Sequence, residues 1–460
     1  MYSKYIGTSH VHSVKIFEKA EQNTLNSIRN MLPNKVIHKA CRDIGYHYRQ
    51  RVLTPVITVL HMILAAIWPE ESFNASWQVI WSTLVSRFPQ CKGTSPSRGT
   101  LSNARARLPL ALWEALFEFI ASKAQGLSSA YDSWRGHRIV LLDGSCVSMP
   151  STPELFETFG TGSSSHGLCK FPLARLVALS LANTMTVMAY NLGRYSEDET
   201  TLALPILKAL RKNDLLVADR HFAGAHLYHT YQSFGLEYLT RTHQRLNISR
   251  IERIQSYSQV DFIGWLKIGK KYRRRDPALP AKIMARFIQV VTRIRGQRRV
   301  MWLVTSLLDS DQYPSTEVAD LYGRRWRIET LFREVKINLS SDVLRSKTPD
   351  GIRKEIAARL IAINIIRSII LEAATGDGQK NPLRISFVYA VRALLAFSPA
   401  LASESLWKLP MIYQAMLEEI ACHLVPYRPW RNEPRMLRRE RKHYPKLSMT
   451  REQWRRSCAA

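Results

Sequence analysis

Cysteine is scarce and scattered. Cys41, Cys91, Cys146, Cys169, Cys422 and Cys458 are the six in 460 residues, with no CxxC pair and no histidine at zinc-ligand spacing. That excludes a disulfide framework and a zinc module, and it fits a reducing compartment. Long apolar runs are missing too. The longest, Val56 to Trp68, is too short to cross a bilayer and carries His61, and the start of the chain has no signal-peptide core, so a cytoplasmic protein without a membrane partner is expected. No nucleophile-elbow glycine pattern surrounds a serine, which disfavours a Ser-His-Asp hydrolase. Acidic residues are outnumbered: 37 Asp and Glu stand against 66 Lys and Arg, a net charge of +29 spread along the chain. A polyanion is the expected partner. With 46% hydrophobic and 10% aromatic residues, the chain is a folded basic protein and not a disordered one.

The length predicts two to four domains, each able to bury a core. Residues 1–132 read as an all-helical leader: Thr54 followed by Pro55 opens TPVITVLHMILAAIW, SFNASWQVIWSTLVSRF follows, and Arg98, Arg105 and Arg107 sit beside a strongly apolar helix. That unit suits DNA, a protein interface or plain packing equally. Near Arg138 the texture changes. RIVLLD, LARLVALSLAN and TMTVMAYNLG predict three antiparallel strands; TLALPILKALRK predicts a helix, DLLVAD a buried strand, then a short helix and the strand LEYLTR. This is a mixed α/β core. From about Thr242 to Val300 short, basic, β-leaning pieces carry Arg273, Arg274, Arg275, Arg293, Arg295, Arg298 and Arg299, which reads as an inserted β-rich subdomain. VMWLVTS resumes the core, and IAARLIAINIIRSIILEAA predicts a long apolar helix. After Pro426 a tail dense in charge carries interspersed aromatics.

Two carboxylates end strands. Asp143 closes RIVLLD and Asp219 closes DLLVAD, and the functional crevice of an α/β sheet lies at such ends. Further on, YGRRWRIETLFREVK places Tyr322, Arg325, Glu329 and Lys336 at offsets of three, four and seven residues. On a helix those offsets fall within about 60° of one another, with Ile328, Leu331, Val335 and Leu339 opposite. Asp143, Asp219 and Glu329 together could hold two divalent ions, Mg²⁺ preferring oxygen ligands and leaving room for substrate phosphates. Arginine and lysine beside them suit phosphate oxygens. The chemistry so outlined is metal-dependent phosphoryl transfer on DNA.

The order LLDGS, LLVADRHF and YGRRWRIETLFREVK resembles the DDE transposases of bacterial insertion sequences, specifically the insertion-sequence-four family with its Tyr-x2-Arg-x3-Glu-x6-Lys signature. The likeness spans about residues 35 to 450. It implies a ribonuclease H-like catalytic core with a β-rich insertion, an α-helical N-terminal domain and a helical C-terminal region with a basic tail. The corresponding divisions are 1–132 (helical, DNA-binding), 133–243 (first part of the core), 244–299 (insertion), 300–400 (second part of the core with the signature helix) and 401–460 (helical and basic). It makes Asp143, Asp219 and Glu329 the catalytic, metal-binding triad, with two Mg²⁺ per site and Mn²⁺ able to substitute. Tyr322, Arg325 and Lys336 would contact phosphates near the cleaved end, Arg241 would lie near that end, and Trp302 would stack on a flipped base as a DNA hairpin forms. The implied activity is cut-and-paste transposition in a bacterial cytoplasm on terminal inverted repeats and target DNA, by a homodimer. A structure-selective metal nuclease and a catalytically silent DNA-binding regulator are the alternatives.

Overall fold

The computed structural model describes residues 31–426, apart from 50–51, 69–71, 88–94, 132, 165–166, 244, 295–296, 339–343, 377, 379 and 404–406, together with residue 456. The first thirty residues, nearly all of the tail after Pro426, Arg295 and Leu339 therefore lie outside the described residues.

Before residue 132 every regular element described is a helix: α1 (Asn34–Asp43), α2 (Pro55–Ile67), α3 (Phe73–Arg87), α4 (Arg98–Arg107) and α5 (Leu110–Ser128). Thr54 caps α2, its hydroxyl accepting from Ile57 N, with Pro55 in the first turn where no amide is needed. All thirteen residues of α2 are buried, as a helix apolar all round requires. On α4 the three arginines separate: Arg98 and Arg107 are exposed, whereas Arg105 is half-buried with its guanidinium 3.9 Å from the Phe73 ring centroid.

A nine-stranded mixed sheet follows. Its strands are β1 (Ile139–Ser148), β2 (Leu173–Leu181), β3 (Val187–Arg194), β4 (Leu215–Ala218), β5 (Glu237–Arg241), β6 (Glu252–Ser258), β7 (Asp261–Lys267), β8 (Lys282–Ile294) and β9 (Gln297–Thr305), in the spatial order β3-β2-β1-β4-β5-β9-β8-β7-β6. β1, β2 and β3 are antiparallel neighbours, and β4 and β5 run parallel to β1. β6 to β9 pair antiparallel, and β9 joins β5 with Leu303 opposite Arg241, so the basic β-rich stretch prolongs the same sheet. Alternation along β1 builds two cores: Ile139, Leu141 and Val147 face one, Val140 and Leu142 the other. Between β3 and β4 lies α7 (Glu199–Ala203), and between β4 and β5 lies α8 (Ala225–Ser233); α6 (Pro153–Phe159) follows β1 and α9 (Lys270–Arg275) follows β7.

Beyond β9 come α10 (Ser315–Gly323), α11 (Trp326–Arg333), α12 (Pro349–Gly376), α13 (Phe387–Ser403) and α14 (Leu409–Cys422). The 28-residue α12 is the central post, packed on α5, α2 and α14. Its Asn364 side chain accepts from Val187 N and donates to Val187 O, both at 2.8 Å, satisfying the backbone of the edge strand β3. Among the described residues no helix is long and apolar enough to cross a membrane.

Three sequence-based expectations need correction. Asp143 does not end its strand: β1 runs on to Ser148, still paired with β2, and only its parallel pairing with β4 stops at Leu142. TLALPILKALRK is not one helix: α7 ends at Ala203 and a 3-10 stretch, Leu204–Ala209, takes over at Pro205, which lacks the amide an α-helix would use. The signature is not one helix either. Arg325 N and Ile328 N bond back three residues, to Tyr322 O and Arg325 O, and this tightening separates α10 from α11. After Arg333 the chain widens into a π-helical turn, Glu334–Asn338, that carries Lys336.

Candidate active site

β1 and β4 are parallel and paired up to Leu142 opposite Ala218. The next residues are Asp143 and Asp219, so both carboxylates emerge at the rung where the parallel ladder ends. Beyond that rung the β4-side edge of β1 is open, and a cleft of about 420 Å³ lies against it, lined by Asp143, Gly144, Ser145, Glu329, Phe332, Arg333 and Lys336. α11 supplies the opposite wall. Ile328, Leu331 and Phe332 are buried on its inner side, which turns Glu329 towards the carboxylate of β1.

Arg325 links the two walls. Its Nη2 donates to Glu329 Oε1 at 2.9 Å, and its Nη1 stands 3.6 Å from Asp143 Oδ2. Asp143 Oδ1 accepts from Gly144 N at 2.8 Å, and Asp219 Oδ1 accepts from His221 N at 2.6 Å. The Asp143 side chain is only 16% exposed. Burial pushes its pKa up to about 6; the Gly144 amide and Arg325 oppose that, while Asp219 and Glu199 add to it. Tyr322 is buried at the end of α10, its phenol pushed up by burial, with Arg325, Asp219 and Arg241 close enough to act on it. Of the four signature residues, Glu329 and Lys336 line the cleft, while Arg325 reaches Glu329 beside it and Tyr322 is buried next to Arg325.

Trp302 is more distant in character. It is half-buried on β9, edge-on to Phe262 with ring centroids 5.8 Å apart, and packs against the second core. Sequence reasoning passed over Trp326, which is 62% exposed with the Arg325 guanidinium 4.8 Å from its ring centroid. Its place inside the signature, immediately after Arg325, was the available signal. Glu199 and Arg175 were also passed over; nothing in their spacing announces them.

The donor set suits a hard divalent cation: the three acids offer oxygen only, and Asp143 is a buried carboxylate whose charge the protein compensates incompletely. Among the described residues, no three His, Cys, Asp or Glu side chains stand close enough together to hold a metal ion as they are. Arg325 lies between two of the carboxylates, so a cation held by both would have to displace that side chain.

Residues 134–365 match the family described as Transposase DDE domain. The chain is 23% identical over 323 residues to the Escherichia coli K12 transposase InsG for insertion sequence element IS4, covering 69% of this chain and 71% of that protein. It is 40% identical over 68 residues to the putative E. coli K12 transposase InsL for element IS186A, covering 15% and 18%. A solved piggyBac transposase synaptic complex with hairpin DNA superposes at a TM-score of 0.44 and 10% identity, covering 86% of this chain and 85% of that one.

Proposed function

The chain belongs to the transposase DDE domain family and is a DDE transposase, and from that premise we propose that it performs cut-and-paste transposition of an insertion sequence. It binds the terminal inverted repeats of its element in the bacterial cytoplasm and nicks each end. The freed 3′-hydroxyl then cuts the opposite strand through a hairpin, and a last attack joins the element to target DNA. The observation that carries this reading is that Asp143 and Asp219 both come directly after the last rung of one parallel ladder, with Glu329 sharing a cleft with Asp143.

The spatial order β3-β2-β1-β4-β5, antiparallel then parallel, supports a ribonuclease H-like core, with β6 to β8 in the insertion and β9 leading back to the core before the third acid. Asp143, Asp219 and Glu329 would hold Mg²⁺, two ions per site and replaceable by Mn²⁺, whose charge when bound eases in-line displacement at phosphorus. Arg325 offers a planar fork to two phosphate oxygens, and Lys336 adds a mobile point charge on the far side of Glu329. Tyr322 holds Arg325 in place, and Arg241, at the β5 end near Tyr322, extends the basic lining. Trp302 supplies the aromatic plane for a flipped base. The helical leader grips the repeats, and two copies act on a pair of ends.

The test is Glu329→Gln, which keeps the shape of the side chain and removes its charge. On a duplex carrying the element end with Mg²⁺, nicking, hairpin formation and joining should all be lost while binding to the end persists. Wild-type cleavage by this variant would contradict the assignment.

A further inference from the structure

Gly144 follows Asp143 on β1 and has no positive φ, so its backbone conformation does not call for glycine. Space does. A Cβ at this position would lie 2.5 Å from Glu199 Cδ and 2.7 and 2.8 Å from its two carboxylate oxygens. Glu199 therefore lies directly against the backbone beside Asp143. Since successive strand residues face opposite ways, it approaches from the side of the sheet away from Glu329.

The approach is built. Asp198 caps α7, its carboxylate accepting from Thr200 N at 2.8 Å, and sets Glu199 in the first turn. Arg175 of β2 forms an ion pair with Glu199, and its remaining donors bond Tyr195 O at 3.2 and 2.9 Å. Both side chains are largely buried, at 21% and 16% exposure for Arg175 and Glu199. Arg175 compensates Glu199 from the side away from Asp143, and the carboxylate is still close enough to act on the Asp143 charge.

We propose that Glu199 is a positioning residue of the metal site: held by Arg175, it supports the Asp143 strand through Gly144 and adds the negative charge that draws a divalent cation to Asp143. The inference rests on reading Asp143 as a metal-binding carboxylate.

Full-length protein without DNA is titrated with Mn²⁺, and free ion is followed by electron paramagnetic resonance. Asp143→Asn should lose the site. Glu199→Gln keeps the shape and a hydrogen bond to Arg175, so a purely structural role would leave Mn²⁺ affinity unchanged; a loss of about tenfold or more is expected, the usual range for groups behind a metal ligand. Glu199→Asp should recover part of it. Gly144→Ala, which pushes the carboxylate away without removing it, should reproduce the Gln result if folding is kept. Wild-type Mn²⁺ affinity in Glu199→Gln, with the site lost in Asp143→Asn, would overturn the inference and leave the Asp143 reading standing. Unchanged Mn²⁺ binding in Asp143→Asn would overturn the reading itself.

Discussion

Asp143, half-buried, and Glu355, fully buried, are both carboxylates next to an arginine, yet the protein saturates one and leaves the other wanting. Glu355, on α12, accepts from Arg359 Nη2 at 2.8 Å, Ser346 N at 2.9 Å, Ser346 Oγ at 2.8 Å and Arg345 N at 3.0 Å. Burial pushes its pKa up, but Arg359 and the Ser346 bonds outweigh that and hold it below the ordinary carboxylate range. Asp143 has one amide bond and an arginine at 3.6 Å, and ends up raised to about 6. The first is an anchor that ties the segment after the signature to the central helix. The second is a carboxylate kept short of partners, as a group must be if it is to bind something the chain does not supply. Asp261 and Arg286 repeat the anchor pattern: two bonds of 2.8 and 2.6 Å join them, and Arg286 Nη1 donates to Tyr313 O at 2.7 Å, fastening the insertion to the segment before α10.

Substituting each carboxylate should break the contrast in opposite directions. Asp143→Asn is expected to lower strand cleavage by about a thousandfold or more, the scale of several kcal/mol that metal-assisted displacement supplies. The same change should stabilise the metal-free fold. A carboxylate raised from 3.8 to about 6 makes the folded state bind its proton more tightly than the unfolded chain does. The native stability tied to that proton is complete below pH 3.8 and drains away as pH rises through about 6, so the charged group is a burden at neutral pH. Thermal melts in EDTA at pH 7.5 should show a gain of about 1–3 kcal/mol for the Asn variant, shrinking towards zero near pH 4. Glu355→Ala should do the reverse, costing about 3–5 kcal/mol by removing the acceptor shared by Arg359, Ser346 and Arg345 N, seen as an early denaturant midpoint.

Arg325→Lys comes next in size. It keeps the charge and loses the fork, so end-DNA cleavage should fall by about ten- to a hundredfold, with melting little changed. The smallest effects separate two tryptophans. Trp302→Ala, removing a half-buried ring packed on Phe262, should lower stability by about 2 kcal/mol and impair hairpin formation more than first nicking. Trp326→Ala, at an exposed ring, should shift melting by no more than about 0.5 kcal/mol while weakening capture of the DNA end in a binding assay.

Much of this was legible in the sequence because strand ends and residue spacing survive local distortion. Asp219 was readable as the residue that follows a strand, whereas Asp143 sits mid-strand, where only the parallel pairing of β1 stops; β1 to β5 follow from period-two runs and short apolar stretches. The signature spacing suggested one continuous stripe. The chain instead breaks at Arg324 and Arg325 and widens at Glu334, and tertiary contacts explain both: Arg327 donates to Ala182 O and Asn183 Oδ1, while Glu334 is locked to Arg367 of α12. Those partners are over thirty residues away, beyond any periodicity. Glu199 was illegible for the same reason, since only the folded sheet brings α7 against Gly144. The basic tail after Pro426 lies almost wholly outside the described residues.

The most direct measurement is cleavage of a linear duplex carrying the DNA that flanks this gene, by purified protein with Mg²⁺ beside its Asp143→Ala variant, with nicks, hairpins and joined products resolved. Nicking at the element boundary that vanishes in the variant, followed by hairpins and joined ends, is the result expected. Cleavage that ignores the boundary, yields no joined product or persists without Asp143 would contradict the account.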